Sequence, residues 1–283
     1  MTQSPITTHT DIVFAEHDGT ALLADLYLPQ GVTKAPVLIG VHGGGWQLGN
    51  RKFYTNWGSY LARNGIAAFA IEYRLMAPGV STYPGAVYDV RAAIQFVRAK
   101  GAELGLDPDR IGLIGDSAGA HLSALVALAG SEPAFSTNYK SDPYADVSPQ
   151  VKAVVGFYGV YDLLAQWQHD LVTRPRDNIT EKFLGAAPHG NRRVFFEASP
   201  ISYATVDKNA TRFLLVHGPE DDIVDPASQS TAFLLALKQA GFFVRTVVIP
   251  GAGHFFLNEP VDDTSFNGVA GPRVLRFLKE IAL

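Results

Sequence analysis

The 283-residue sequence contains no cysteine, which excludes disulfide bridges, thiolate metal sites and a thiol nucleophile. Charge is sparse as well. Only 18% of the residues are Asp, Glu, Lys or Arg, and 23 basic against 27 acidic side chains leave a net charge of −4. Without a basic excess or a lysine- and arginine-rich run, the electrostatic footprint of a nucleic-acid or anionic-membrane partner is missing. No stretch approaches the roughly 18 consecutive apolar residues of a membrane-spanning helix. Residues 1–10 hold neither a basic cluster nor an apolar run of signal-peptide length, so a cytoplasmic location is expected. Internal repeats, low-complexity tracts and linker-like segments are also lacking, and one domain over residues 1–283 is expected.

What the chain has in quantity is apolar side chains, 47% of the total, enough for one large core at this length. They are gathered in short continuous runs at 37–41, 66–72, 111–114, 151–158, 213–216 and 244–249. Runs that do not alternate with polar residues mark strands buried on both faces. Helix candidates at 55–64, 85–101, 118–129, 227–240 and 271–281 fall between or after them, and 12–15 with 22–28 reads as an antiparallel edge hairpin around Asp18 and Gly19. The alternation predicts an α/β fold, a mostly parallel doubly wound sheet of about eight strands flanked by helices. Residues 161–203 break the pattern and are predicted to form a small lid insertion over the carboxyl ends of the strands, where ligands bind. Residues 131–148, rich in Ser, Asp, Pro and Tyr, read as a surface loop beside it.

Two glycine-rich motifs follow apolar runs. Gly115-Asp116-Ser117-Ala118-Gly119 lies between the run at 111–114 and a helix candidate. A serine on a sharp strand-to-helix turn is lifted above the sheet edge, and glycines flank it because a Cβ there would strike neighbouring backbone. Ser117 is therefore the candidate nucleophile. His42-Gly43-Gly44-Gly45-Trp46 follows the run at 37–41, and glycines there leave backbone N–H groups exposed. Gly44, Gly45 and Ala118 are the candidate donors to the oxyanion of an acyl-transfer intermediate.

A serine nucleophile needs a base, and the base needs an orienting acid. Of eight histidines, His254 alone follows a late strand candidate through a flexible turn, Pro250-Gly251-Ala252-Gly253, with one closing helix left. His217 reads instead as a hydrogen-bonding group at a strand end, and His121 as having left the elbow by one helical turn. The loop 217–226 carries Glu220, Asp221, Asp222 and Asp225. Asp221 is the favoured acid, Asp222 the second choice, and Asp225 before Pro226 reads as a helix N-cap.

Nucleophile, acid and base in the order Ser117, Asp221, His254 match the α/β-hydrolase order. With HGGGW, GDSAG, HGxxD and a late GxGH in place, the chain resembles the hormone-sensitive-lipase-like esterases of the α/β-hydrolase superfamily, and more narrowly their small bacterial carboxylesterases. The likeness runs from the strand at residue 12 to the helix near residue 283. Tyr73-Arg74-Leu75-Met76-Ala77-Pro78 resembles the family's YRLAP segment, and Tyr83-Pro84-Gly85-Ala86 with Asp89 the segment after it; an Arg74–Asp89 bond is expected to pin that loop. Two departures stand out. Asp225 occupies a place where relatives carry proline, and the extended N-terminal helical cap of larger lipase-like members has no counterpart.

The resemblance implies a serine carboxylesterase for small to medium esters, aromatic ones included. His254 would take the Ser117 proton, Asp221 would hold the imidazole, and an acyl-enzyme would be released by water, with activity rising as the base loses its proton. No metal and no organic cofactor is expected. The partner implied is a small-molecule ester, and a homodimer is the expected assembly. Aromatics expected near the mouth include Trp57, Tyr73 and Tyr83; Trp46, Tyr161, Phe255 and Trp167 are taken as the substrate-binding candidates. Rival readings are an arylformamidase, since HGGGW also fits HGGxW, a carbohydrate acetyl or feruloyl esterase, and a hydrolase-fold binding protein without activity.

Overall fold

In the computed structural model, which describes residues 5–283, the strands are β1 (Ile6–His17), β2 (Thr20–Pro29), β3 (Ala35–Val41), β4 (Ala67–Ile71), β5 (Leu106–Asp116), β6 (Ala153–Phe157), β7 (Arg212–His217) and β8 (Val244–Val248). They form one eight-stranded sheet in the order β1-β2-β4-β3-β5-β6-β7-β8. The β1–β2 and β2–β4 pairs are antiparallel, and every later pair is parallel. The sequence leaves β3 toward β4 on one side and returns to β5 on the other. The carboxyl ends of β3 and β5 therefore flank a topological switch point, where open α/β sheets hold ligands.

Every residue of β3, β4 and β6 is buried, which is why these runs show no period of two. Successive side chains still part to opposite faces. Ile39, Leu113 and Leu215 pack with α2 (Gly85–Lys100), α3 (Ala118–Ala129) and α8 (Ala232–Gln239), whereas Leu38, Ile114 and Leu214 pack with α1 (Thr55–Arg63) and α9 (Phe266–Glu280). Between β5 and β7 stand a short α4 (Pro133–Ser136) and the trio α5 (Leu163–Thr173), α6 (Ile179–Leu184) and α7 (Arg192–Ala198). The trio fills the segment 161–203 that lacked a strand pattern.

Three expectations shift at their edges. β1 is far longer than 12–15 because its pairing with β2 runs from Ile6 to His17. α9 begins at Phe266, not 271, since the Ser265 side chain caps it by accepting the Gly268 N–H at 3.2 Å; Pro272 sits inside the helix and does not start it. The helix expected at 227–240 opens with a π-helical turn, Ala227–Thr231, after Asp225, whose carboxylate accepts the Ser228 N–H at 2.9 Å.

The segment 131–148 is more than a loop, because a buried ionic cluster staples it to the edge hairpin. Arg74 donates to both oxygens of Asp89, Nη2 at 2.8 Å and Nε at 3.0 Å, as its motif implied. Asp89 also meets His17 Nδ1 at 2.7 Å, and His17 Nε2 meets Asp142 at 2.8 Å while Tyr139 stacks on the ring with centroids 3.9 Å apart. Burial works against the charged imidazole, but its bonds to Asp89 and Asp142 outweigh that and raise its pKa.

A histidine with a raised folded-state pKa contributes stability fully below the unfolded value of about 6.5 and loses it as pH climbs through the folded value. Urea midpoints of the protein should therefore fall as pH rises above about 6.5, with a shallower fall in His17→Asn; equal slopes for the two proteins would contradict the pairing. Packing of α3 on the sheet yields a second expectation. A Cβ on Gly119 would lie 1.9 Å from the Val41 carbonyl oxygen and 2.6 Å from that of His42. Both are backbone atoms, so Gly119→Ala should cost about 3 kcal/mol or more, read as a lowered urea midpoint.

Candidate active site

β5 ends at Asp116 and α3 begins at Ala118, leaving Ser117 alone to make the turn at φ 49°, ψ −117°. The turn is closed by the Ser117 N–H donating to the Phe157 carbonyl at 2.9 Å. Gly115 and Gly119 flank it because a Cβ on the first would lie 2.5 Å from the Gly119 carbonyl and one on the second would strike β3. Ser117 is 9% exposed, so its hydroxyl is presented to a cleft and not to bulk water.

His254 and Asp221 meet this hydroxyl. Their distances are 3.0 Å from Ser117 Oγ to His254 Nε2 and 2.7 Å from His254 Nδ1 to Asp221 Oδ2. The other carboxylate oxygen, Oδ1, accepts the N–H groups of Ile223 and Val224 at 3.0 and 2.9 Å. Those two bonds fix which oxygen faces the imidazole, and an acceptor at Nδ1 requires the proton there, leaving Nε2 free to take the hydroxyl proton. Asp222, the second choice, is exposed. Around the ring stand Tyr158, with centroids 4.4 Å apart, and Phe255 at 4.5 Å, edge to face.

The glycine turn after β3 faces the same hydroxyl. Gly44 and Gly45 line the cleft with Ser117, at φ 111° and 58°. A Cβ on Gly44 would fall 2.2 Å from the Leu48 carbonyl oxygen, so the tight turn that carries these N–H groups requires glycine. Among the described residues, the N–H groups of Gly44, Gly45 and Ala118 donate to no backbone carbonyl or side chain.

Three buried groups that were not site candidates from the sequence, Asp116, His42 and His121, hold this turn. The Asp116 carboxylate accepts the Gly43 N–H at 2.8 Å. Burial pushes its carboxyl up to about 6, against the opposing pull of the Gly43 bond and of His254. His42 donates from Nδ1 to the Gly43 carbonyl at 2.7 Å and stacks on Tyr73, while His121 accepts the Trp46 indole N–H at Nδ1, 3.1 Å, and donates from Nε2 to the Ala198 carbonyl at 2.8 Å. Burial pushes both imidazoles down to about 4. They are neutral hydrogen-bonding groups, and His121 ties α3 to the glycine turn and to the end of α7.

The cleft has a volume of about 180 Å³. Of the four substrate-binding candidates it brings Trp46 and Phe255 to its wall. Tyr161 and Trp167 are corrections. Tyr161 is fully buried and stacked on Phe233 with centroids 4.4 Å apart, because the chain turns inward directly after β6. Trp167 points along the insertion and donates its indole N–H to Glu181 at 2.6 Å. Trp57, also expected near the mouth, belongs to α1 and packs from it into the core. At His217 the main-chain carbonyl makes the strand-end bond, to the Ile249 N–H at 2.9 Å, and among the described residues the side-chain Nδ1 has no partner. Among the described residues no group of three or more His, Asp or Glu side chains is placed to hold a metal ion, and no helix is long and apolar enough to cross a membrane.

Comparison with known proteins places this geometry in a family. The BD-FAE family model matches residues 24–237. Esterase LipQ of Mycobacterium tuberculosis is 38% identical over 227 residues, which are 79% of this chain and 51% of LipQ. Esterase LipC of the same organism is 36% identical over 233 residues, 78% of this chain and 53% of LipC. The chain thus spans about half the length of these curated relatives. Among solved structures, the propionate-bound esterase Est2 of Thermogutta terrifontis matches with a TM-score of 0.77 at 25% identity, covering 99% of this chain and 95% of that one. The sheet order and this match give the chain the α/β-hydrolase fold, and a family match over well more than half of its length makes it a member of the BD-FAE family.

Proposed function

We propose that this chain is a serine carboxylesterase that hydrolyses small to medium carboxylic esters through an acyl-enzyme. The observation that carries the reading is the continuous hydrogen-bonded path from Asp221 through His254 to Ser117, with legs of 2.7 and 3.0 Å, opening on a cleft lined by the Gly44 and Gly45 turn. Ser117 Oγ attacks the ester carbonyl as His254 Nε2 takes its proton. Asp221 keeps the other imidazole proton at Nδ1 and stabilises the cation that forms. The carbonyl oxygen becomes an oxyanion, and the N–H groups of Gly44, Gly45 and Ala118 receive its charge. One removed donor in such a hole costs about 3 kcal/mol in the transition state. His254 then protonates the departing alcohol, and the acyl group stays on Ser117. A water, deprotonated by the same imidazole, attacks that acyl group and frees the acid and Ser117.

The cleft volume of about 180 Å³ favours short acyl or alcohol groups, and Trp46 with Phe255 offers aromatic contact. The names of the relatives, esterases in every case quoted, point the same way. Residues 161–203 act as the lid of this reading, since Gln166, Arg174 and Ile179 supply one wall. Cytoplasmic location and a homodimer are expectations carried from the sequence, to be read by cell fractionation and by sedimentation.

Ser117→Ala should lower kcat on 4-nitrophenyl acetate by about five to six orders of magnitude, as removal of a triad nucleophile does. It should also abolish labelling by a fluorophosphonate probe, and near-normal turnover would assign the nucleophile elsewhere. A chain-length series from acetate to decanoate should peak among the short esters, and faster turnover of N-formylkynurenine than of any ester in it would favour the arylformamidase reading.

A further inference from the structure

Gln166, Asp170 and Arg174 recur at intervals of four along α5 and its C-terminal end, so their side chains share one face. Gln166 and Arg174 line the cleft above Ser117. Gln166 Nε2 donates to Asp170 Oδ1 and to the Ile223 carbonyl, each at 2.9 Å. Arg174 Nη2 donates to the same Asp170 oxygen at 2.6 Å. The Asp170 side chain is fully buried, while that of Arg174 is 31% exposed.

This stack holds a cation at the wall of a mainly apolar cleft. Val160, Ile179, Ile223 and Val224 line the same cleft, and their side chains offer a guanidinium no hydrogen-bond acceptor. One edge of the fork is engaged by Asp170, and among the described residues Nε and Nη1 have no acceptor. Of the residues lining the cleft, Arg174 and His254 are the ionisable ones, and no carboxylate stands among them. A planar fork with unused donors, pre-positioned by a buried anchor, fits a carboxylate by paired charge-assisted hydrogen bonds. Asp170 offsets much of the long-range field, so the selection is made by contact and geometry.

Resting on the serine-esterase reading, we propose that Arg174 is a specificity residue that receives a free carboxylate on the substrate, so that the preferred esters carry a second, unesterified acid group. Half-esters of dicarboxylic acids and acyl esters of hydroxy acids belong to this class. The carboxylate remains intact while Ser117 acts on the neighbouring ester bond.

Two matched pairs of probes test the assignment from either side of the scissile bond. Mono-4-nitrophenyl glutarate against 4-nitrophenyl hexanoate places the charge on the acyl side; 4-acetoxybenzoate against its methyl ester places it on the alcohol side. The readout is the ratio of kcat/KM for the anionic to the neutral member, in which any shared loss of folded or active enzyme cancels. Arg174→Gln should lower that ratio about tenfold or more in at least one pair, and Arg174→Lys should retain part of it. Unchanged ratios in both pairs, or a wild type that turns over the neutral members alone, overturn the proposal while leaving the esterase reading intact. Failure of the wild type on all four probes together with absent fluorophosphonate labelling would overturn both.

Discussion

Close contact between α3 and the end of β3 is the constraint on which the site depends. Gly119 lets the helix axis approach until its Cα hydrogen faces the carbonyls of Val41 and His42. That approach sets how sharply the chain must turn at Ser117, and the turn places the serine at φ 49°, a backbone region that non-glycine residues occupy at a cost. The same approach carries the Gly43 to Gly45 turn, which follows directly from β3, over the serine hydroxyl. The Ser117 hydroxyl and the Gly44 and Gly45 amides are thus brought to one cleft by one packing contact rather than by two separate loops.

Around that contact the protein sorts its ionisable groups by burial and partner. His42 and His121, pushed down to about 4, remain neutral and serve as rigid struts. His17, between two carboxylates, has its pKa raised and acts as one member of a structural ion cluster. Among the described residues, only His254 combines an oriented carboxylate on one nitrogen with a hydroxyl on the other. Asp116, directly before the serine, is raised to about 6 by burial and holds the glycine turn through the Gly43 N–H. The residue type is the same in three of these roles, and the surroundings decide which role each histidine takes.

The resemblance to relatives reaches the substrate only in part. Fold and triad geometry recur across proteins with different substrates, and the chain spans about half the length of its curated relatives. Part of the wall of this cleft comes from the segment 161–203. α5 and α6 bring Gln166, Arg174 and Ile179 to it.

The pairing of Arg74 with Asp89 was implied by the family resemblance; by itself the sequence determined the α/β alternation, the edge hairpin, the sharp turn at Ser117 and the choice of Asp221 over Asp222 as the carboxylate facing His254. Each of these is local, depending on hydrophobic period, on glycines where a Cβ cannot fit, or on short spacing within a loop. Tertiary structure alone decided where the insertion's aromatics point. Trp167 turned along the helices to Glu181 and Tyr161 inward to Phe233, because side-chain direction in a segment without strand pairing is set by packing partners distant in sequence. For the same reason Arg174 and His121 acquired their places only on folding: a helix face has meaning for function once it is known what the face is pressed against.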